Sequence, residues 1–211
     1  MVAMLLNWTN VSQANFFRYI PDISDYELSK HPEQEIITLS KPDDGDWLSL
    51  IKKAAKRVES INECLALSSE VLDQDKKEKH LLFFDMTGRF YGTDQFRDSF
   101  VHFGSEIKDE GYCVINSGRS YHVYTKQLLT FGEWIDRLCA GGLPLMGSGF
   151  EGDKRWILRS IYRRAGSLRL IKHDLKPGIP VVHDYNESFA GKATYHNDYK
   201  PLDDPDNDLP F

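Results

Sequence analysis

The sequence has no long apolar run and few cysteines. None of the apolar runs in its 211 residues approaches the ~20 residues that a membrane-spanning helix needs. The N-terminal segment, Met1–Leu6, is too short for a signal-peptide core and lacks a basic flank. Three widely spaced cysteines form neither a disulfide framework nor a zinc pattern, so we expect buried reduced thiols at Cys64, Cys113 and Cys139. We therefore expect a cytoplasmic protein that has no membrane partner.

The chain also lacks the glycine motifs that cradle nucleotide phosphates in the commonest nucleotide-binding folds. Neither G-x-G-x-x-G nor G-x-x-x-x-G-K-[ST] occurs, so Rossmann and P-loop folds have no motif support. An apolar content of 41%, with 12 Phe, 10 Tyr and 4 Trp, supplies a real core and argues against wholesale disorder. The length fits one medium domain or a domain with small additions.

Basic residues are concentrated in one segment of an acidic chain. The net charge of −6 argues against a general polyanion binder. The segment 154–176, however, carries eight basic residues, and such a local patch attracts phosphate at one face. The same residues would also fit a solvated helix face, or ion pairs with the C-terminal segment, which contains Asp198, Asp203, Asp204, Asp206 and Asp208.

Hydrophobic periodicity predicts an α+β fold with a mixed or antiparallel sheet. Residues 1–45 read as irregular, and helical spacing predicts helices over 46–70, 93–111, 131–138 and 154–164. Strands are predicted over 80–86, 112–116 and 120–125, a glycine-rich loop over 140–149, and a hairpin over 168–183. We divide the chain into a mostly helical part, 1–79, a nucleotide-binding part, 80–185, and an acidic tail, 186–211, that is either flexible or a docking segment.

Asp85 follows four apolar residues at the end of a predicted strand. Because alternate side chains share one face of a strand, residues 85 and 87 would point together. A pair of carboxylates there would bind Mg²⁺, which prefers oxygen ligands near phosphates. The second position holds Thr87, a neutral and weaker ligand. Taken alone, Asp85 also fits a strand-end cap or turn residue.

Ser120 and His122 are the second candidate pair. They stand two residues apart in a predicted strand and hence on one face, while Tyr121, Val123 and Thr125 would face the other side. A hydroxyl and an imidazole in this arrangement can both donate hydrogen bonds to a phosphate oxygen. The alternative is a structural strand histidine, and the small-residue turn before Ser120 favours the phosphate site.

The basic segment supplies further candidates. Asp153 could return a carboxylate to the Asp85 site, and two metals about 3.5–4 Å apart would need such a cluster. Arg169 can form a two-pronged contact with a phosphate, and Lys172 can act as a point charge. The predicted helix would present nucleic-acid contacts through Arg155, Arg159, Arg163 and Arg164.

At these residues the chain resembles the archaeo-eukaryotic primase superfamily, which includes primase-polymerases. Phe84–Thr87 is similar to its first motif, Asp-x-Asp at a strand end, with Thr87 in place of the second Asp. Ser117–Tyr124 matches its Ser-x-His motif after a glycine-containing turn. Gly152–Leu170 is similar to its third motif, an Asp followed by a helix and an Arg-bearing strand. The resemblance covers residues 80–183.

This resemblance implies a two-lobed primase-polymerase-like core with an RRM-like sheet flanked by helices. It implies synthesis of RNA or DNA primers from nucleoside triphosphates on a single-stranded template, with Mg²⁺ or Mn²⁺. By position, Asp85 and Asp153 would be catalytic metal ligands, with His122 beside them. Ser120, His122, Arg169 and Lys172 would bind the triphosphate.

Two other functions fit the sequence. Thr87 is compatible with a catalytically silent primase-like subunit that binds nucleotide or nucleic acid within a larger complex. The acidic tail is compatible with an unrelated α+β interaction module that docks a basic protein partner. Nucleotide incorporation would identify the enzyme, whereas loss of partner binding on deletion of residues 198–211 would identify the interaction module.

Overall fold

The computed structural model describes residues 2–20, 34–58, 63–87, 111–116, 121–142, 151–152, 154–170 and 181–185. Its helices are α1 (Val2–Trp8), α2 (Trp47–Ala55), α3 (Phe131–Gly142) and α4 (Lys154–Arg163). Its strands are β1 (Gln13–Tyr19), β2 (Gln34–Ser40), β3 (Cys64–Leu72), β4 (Glu78–Thr87), β5 (Tyr112–Asn116), β6 (Tyr121–Leu129), β7 (Glu151–Gly152), β8 (Ser167–Arg169) and β9 (Val181–Tyr185). None of these helices is long and apolar enough to cross a membrane.

One antiparallel sheet organises the described residues. Seven strands follow one another in the order β2-β1-β3-β4-β6-β5-β9, with β7 paired to β4 and β8 paired to β3. Every one of these pairings is antiparallel. The predicted α+β class with an antiparallel sheet flanked by helices is therefore confirmed.

The sheet opens between its two central strands. β3 and β4 pair only through the three residue pairs nearest their connecting turn, which include Glu70↔His80. Farther along, β8 lies against β3 and β7 lies against the end of β4. The segment β7-α4-β8 therefore connects the ends of the two strands across the opening.

Helices cover the sheet through two apolar clusters. Because side chains alternate between the two faces of β4, Leu81 and Phe83 lie in a cluster that contains residues of α1 and α2. Leu82, Phe84 and Met86 join the other cluster, which contains Trp134 and Leu138 of α3 and Ile157 of α4. The strand is thus buried on both faces, which explains its continuous apolar run.

Local signals fix the helix starts. Asp46 caps α2, because its Oδ1 accepts a hydrogen bond from the backbone N–H of Ser49 at 3.1 Å. Thr130 and Glu133 form a capping box at α3: Glu133 Oε2 accepts from the Thr130 N–H at 2.8 Å, and Thr130 Oγ1 accepts from the Glu133 N–H at 3.5 Å.

The structure confirms several predicted elements. The strands predicted over 80–86, 112–116 and 120–125 are β4, β5 and β6, although β4 and β6 are longer than expected. The helices predicted over 131–138 and 154–164 are α3 and α4. The predicted helix over 93–111 and the tail 186–211 lie outside the described residues, and the predicted boundaries at 79 and 185 stay predictions.

Four predictions about the elements are wrong. The helix expected over 46–70 ends at Ala55, and Cys64–Leu72 is a strand. The irregular segment expected over 1–45 contains α1, β1 and β2, so the described part of 1–79 has three strands beside two short helices rather than a mostly helical character. β8 pairs with β3 and β9 with β5, so residues 168–183 do not form a hairpin. α3 continues through Gly142, into the expected glycine-rich loop.

Gly166 allows α4 to pack closely on the sheet. A Cβ atom at this position would lie 2.9 Å from Cζ2 of Trp156 and 3.2 Å from Oγ of Ser160. The Trp156 indole N–H donates to the Ser167 carbonyl at 2.9 Å, which fixes the ring in place. The Gly166 N–H also donates to Ser69 Oγ at 2.9 Å, and this hydrogen bond joins the segment to β3.

We predict that Gly166→Ala destabilises the protein by about 1–3 kcal/mol, because Trp156 or Ser160 must shift to accommodate the methyl group. Gly132→Ala is the matched control: nothing lies within 4 Å of its Cβ, and alanine favours the helix by up to roughly 1 kcal/mol. Urea unfolding measures both changes. Equal free energies of unfolding for Gly166→Ala and the unmodified protein would contradict this account of the packing.

Candidate functional site

Asp85 and His122 face each other across neighbouring strands. They are register partners in β4 and β6, and His122 Nε2 lies 4.0 Å from Asp85 Oδ1. The Asp85 side chain keeps 19% of its surface exposed, whereas that of His122 keeps 3%. A distance of 4.0 Å is too long for a hydrogen bond but within the range of an ion pair if the imidazole is protonated. The carboxylate therefore remains accessible to a ligand beside a nearly buried imidazole.

Arg169 approaches this pair from the other side of the opening. It lies in β8 opposite Ala66 of β3, with only 6% of its surface exposed. Burial lowers the pKa of its guanidinium, while the nearby thiol of Cys64, the phenols of Tyr19 and Tyr124, and the Asp85 carboxylate raise it. Arginine stays charged in proteins even when buried. A buried cation is thus held close to a partly exposed carboxylate.

Three residues that the sequence did not assign to the site interact electrostatically with Arg169. Tyr19 is the register partner of Cys64, and Ala66, two residues along from Cys64, faces Arg169. Tyr19, Cys64 and Arg169 therefore share one side of this part of the sheet. Burial, followed by charge and hydrogen-bond interactions with the Cys64 thiol, raises the pKa of Tyr19 well above its ordinary value. The third residue, Tyr124, precedes the bulged part of β6 and pairs with Phe83.

The predicted nucleic-acid arginines lie on or just after α4. Arg155 is exposed, and Arg159 and Arg163 are partly exposed. Arg164 follows the helix with its guanidinium carbon 4.2 Å from the centroid of the Phe131 ring, so this side chain also connects α4 to α3. No acidic residue occurs within α4, so all of the charged side chains of this helix are basic.

The structure brings together part of the predicted site. Asp85 lies opposite His122 and interacts electrostatically with Arg169, and the roles predicted for these residues stay predictions. The predicted ligands Asp153, Ser120 and Lys172 lie outside the described residues, as does the side chain of Thr87. Within the described part of the chain, no group of three or more His, Cys, Asp or Glu side chains could hold a metal ion.

The donor set at Asp85 fits a cation that shares its ligands with a substrate. Mg²⁺ is commonly held by one or two carboxylates together with substrate phosphates and water. Asp85 offers one accessible carboxylate, and Arg169 and His122 are suited to the oxygens of a phosphate. The described residues alone therefore suit one divalent cation that a phosphorylated ligand brings with it.

A comparison with known protein families shows the family of the chain. The sequence model of the family described as archaeo-eukaryotic primase 1D-like matches residues 48–176, which is more than half of the chain. The matched segment contains Asp85, His122, Arg169 and all of α4, whereas Tyr19 lies before it. No curated protein matches the chain.

Tyr124 gives the site region a testable pH dependence. The residue is completely buried, and its hydroxyl has no hydrogen-bond partner among the described residues. Burial raises its pKa above the value of about 10 that the phenol has in an unfolded chain. Above about pH 10 the unfolded chain loses the phenol proton while the folded protein keeps it, so the free energy of unfolding falls as the pH rises. Below that pH both states keep the proton, and this loss of stability does not occur.

We predict that Tyr124→Phe leaves stability at pH 7 unchanged or raises it, since it removes a buried hydroxyl without a partner. Above pH 10 the variant should lose stability less steeply, by up to about 1.4 kcal/mol per pH unit. Urea unfolding between pH 7 and 11 measures both effects, with Tyr162→Phe, at an exposed phenol, as control. An identical alkaline slope in the Tyr124→Phe variant and the unmodified protein would be the contrary result.

Proposed function

Since the chain belongs to the archaeo-eukaryotic primase 1D-like family, we propose that it is a primase-polymerase-like nucleotidyltransferase. Its substrates are nucleoside triphosphates and a single-stranded nucleic-acid template. The observation that supports the proposal is the position of Asp85, which lies opposite His122 on β6 and interacts electrostatically with Arg169 on β8. These three side chains offer the ligands that a metal-bound triphosphate needs.

Each residue has a role that follows from its chemistry. Asp85 would hold Mg²⁺ or Mn²⁺, and Asp153 would be the second carboxylate of the proposed metal site. When bound, such a cation would stabilise the charge that develops on the attacking and leaving oxygens. Arg169 forms charge-assisted hydrogen bonds to the triphosphate, and its buried position strengthens them. His122, Ser120 and Lys172 donate to the remaining phosphate oxygens.

The reaction is a displacement at the α-phosphorus. The 3′-oxygen of a bound strand forms a bond to this phosphorus, and the bond to the oxygen that bridges the α- and β-phosphorus breaks. Pyrophosphate leaves with that electron pair, and the proton of the 3′-hydroxyl passes to solvent or a nearby base. The protein's contribution is to position the triphosphate and to balance its charge.

We predict that the protein binds a labelled nucleoside triphosphate in the presence of Mg²⁺ or Mn²⁺, and that Asp85→Asn removes the metal dependence. His122→Gln and Arg169→Met should each weaken binding about tenfold or more, because each loses a hydrogen bond to a charged group. Fluorescence anisotropy measures the affinities, and thermal unfolding shows whether each variant is folded.

Asp136→Asn is the matched control, since it removes an exposed carboxylate on α3, away from β4. It should leave nucleotide affinity unchanged. Absence of binding by the unmodified protein, or binding that survives Asp85→Asn with its metal dependence intact, would contradict the proposed site. Incorporation of the labelled nucleotide on single-stranded DNA and RNA templates then tests the reaction itself.

Thr87 supports a second candidate function, a catalytically silent subunit that binds nucleotide or nucleic acid. This residue occupies the position of the second carboxylate in the motif that the chain resembles, and its neutral side chain is a weaker ligand for a second cation. Because two cations stabilise both the attacking and the leaving oxygens, one missing carboxylate would reduce turnover more than binding. Both candidate functions therefore predict triphosphate binding, but only the nucleotidyltransferase predicts nucleotide incorporation.

We predict that Thr87→Asp raises Mn²⁺-dependent incorporation about tenfold or more, because the added carboxylate strengthens the second cation site. Thr87→Asn, which adds a neutral side chain of the same size, is the control and should have no such effect. Robust incorporation by the unmodified protein would eliminate the silent subunit. Incorporation that is the same in all three proteins would contradict the proposed role of residue 87.

A further inference from the structure

Two large apolar side chains stand exposed on α4. Leu158 and Tyr162 retain 55% and 63% of their surface, respectively. They are four residues apart and therefore adjacent on one face of the helix. Elsewhere on the helix, Ile157 and Ser160 are buried, and Trp156 and Ile161 contact the apolar clusters.

Cations flank the Leu158–Tyr162 pair on both sides. With 100° per residue, Lys154 falls on one side of the pair, and Arg155 and Arg159 fall on the other, whereas Arg163 lies farther round the helix beside Trp156. Lys154 and Arg155 are exposed, and Arg159 is partly exposed. The stacking face, as we call the surface formed by Leu158, Tyr162, Lys154, Arg155 and Arg159, thus places an aromatic ring and a leucine among basic side chains on a chain of net charge −6.

The connections of α4 lead to the strands that carry the proposed nucleotide site, while Ile157 of the helix packs with Leu82, Phe84 and Met86 on the face of β4 opposite to Asp85. Just before the helix, β7 pairs with Met86 and Thr87 at the end of β4, next to Asp85. Just after the helix, the chain passes Gly166 and enters β8, which carries Arg169. α4 has ten residues and is about 15 Å long at 1.5 Å per residue.

We propose that the stacking face binds single-stranded nucleic acid, with a base stacked on the Tyr162 ring, Leu158 beside it, and the flanking cations on the phosphates. Aromatic side chains within a positive groove are the arrangement by which proteins bind single strands, because every base has a π-face. This inference rests on the proposed function and adds a base-contacting residue to the arginines already assigned to phosphates. An acidic segment of protein is the competing occupant, and the chain's own residues 198–211 provide the probe for it.

The test compares an oligonucleotide of about 12 thymidines with an abasic strand of the same length, using anisotropy with the full chain. Tyr162→Ala should weaken thymidine binding about 5- to 150-fold, the loss expected for one base stack, and should leave abasic binding unchanged. Tyr162→Phe keeps the ring and should bind as the unmodified protein does. Because residue 162 is exposed, thermal unfolding should show that both variants are folded.

The salt dependence of oligonucleotide affinity distinguishes the contribution of stacking from that of the basic side chains. Tyr162→Ala should leave the slope of log affinity against log salt unchanged, whereas Arg155→Gln should reduce it by about 0.7. The proposal would be overturned if Tyr162→Ala lost the same affinity for the thymidine and abasic strands, or if it lost no affinity for the thymidine strand. A peptide of residues 198–211 that binds in a Tyr162-dependent way, without oligonucleotide binding, would also overturn it.

Triphosphate binding is measured in the same samples, so that the two proposals can fail separately. Oligonucleotide binding that is independent of Tyr162, beside Asp85-dependent triphosphate binding, overturns the stacking face alone. Tyr162-dependent oligonucleotide binding without triphosphate binding supports the stacking face and overturns the proposed nucleotide site.

Discussion

The limited pairing of β3 with β4 is the constraint on which the rest of the structure depends. Because the two strands separate after three residue pairs, their far ends are available to β8 and β7. If β3 and β4 paired along their whole length, their backbone N–H and C=O groups would bond to each other. Neither β7 nor β8 could then pair with them. The opening therefore determines where α4 lies and brings Asp85 close to Arg169.

The sequence predicted those elements whose signals are local. Alternation and apolar runs identified β4, β5 and β6, and helical spacing identified α3 and α4. The helix over 46–70 was extended too far because Cys64–Leu72 is nearly all buried and shows no alternation, so its apolar residues fit either element. The prediction of a hairpin over 168–183 was wrong because β8 pairs with β3, about 100 residues earlier in the chain. Local sequence patterns do not identify such a distant partner.

The same distinction applies to the site. Asp85 and His122 could be predicted as candidates, since each stands at a strand position next to a recognisable turn or apolar run. Their mutual register, and the position of Arg169 opposite Ala66, required the tertiary structure. Tyr19 and Cys64 could not be found from sequence, because β1 gives no motif and its register against β3 alone places the phenol beside Arg169.

Packing around Trp156 connects α4 to β4 and β8, the strands of the proposed nucleotide site. The indole lies 6.0 Å from the Phe83 ring of β4, is hydrogen-bonded to Ser167, and contacts the position that Gly166 leaves open. Close packing of this kind transmits displacement rather than absorbing it. A strand bound along α4 would therefore be held in a fixed relation to Asp85 on β4 and Arg169 on β8. Template positioning and triphosphate binding would then depend on one rigid unit, which is the condition for joining two bound substrates in a single reaction.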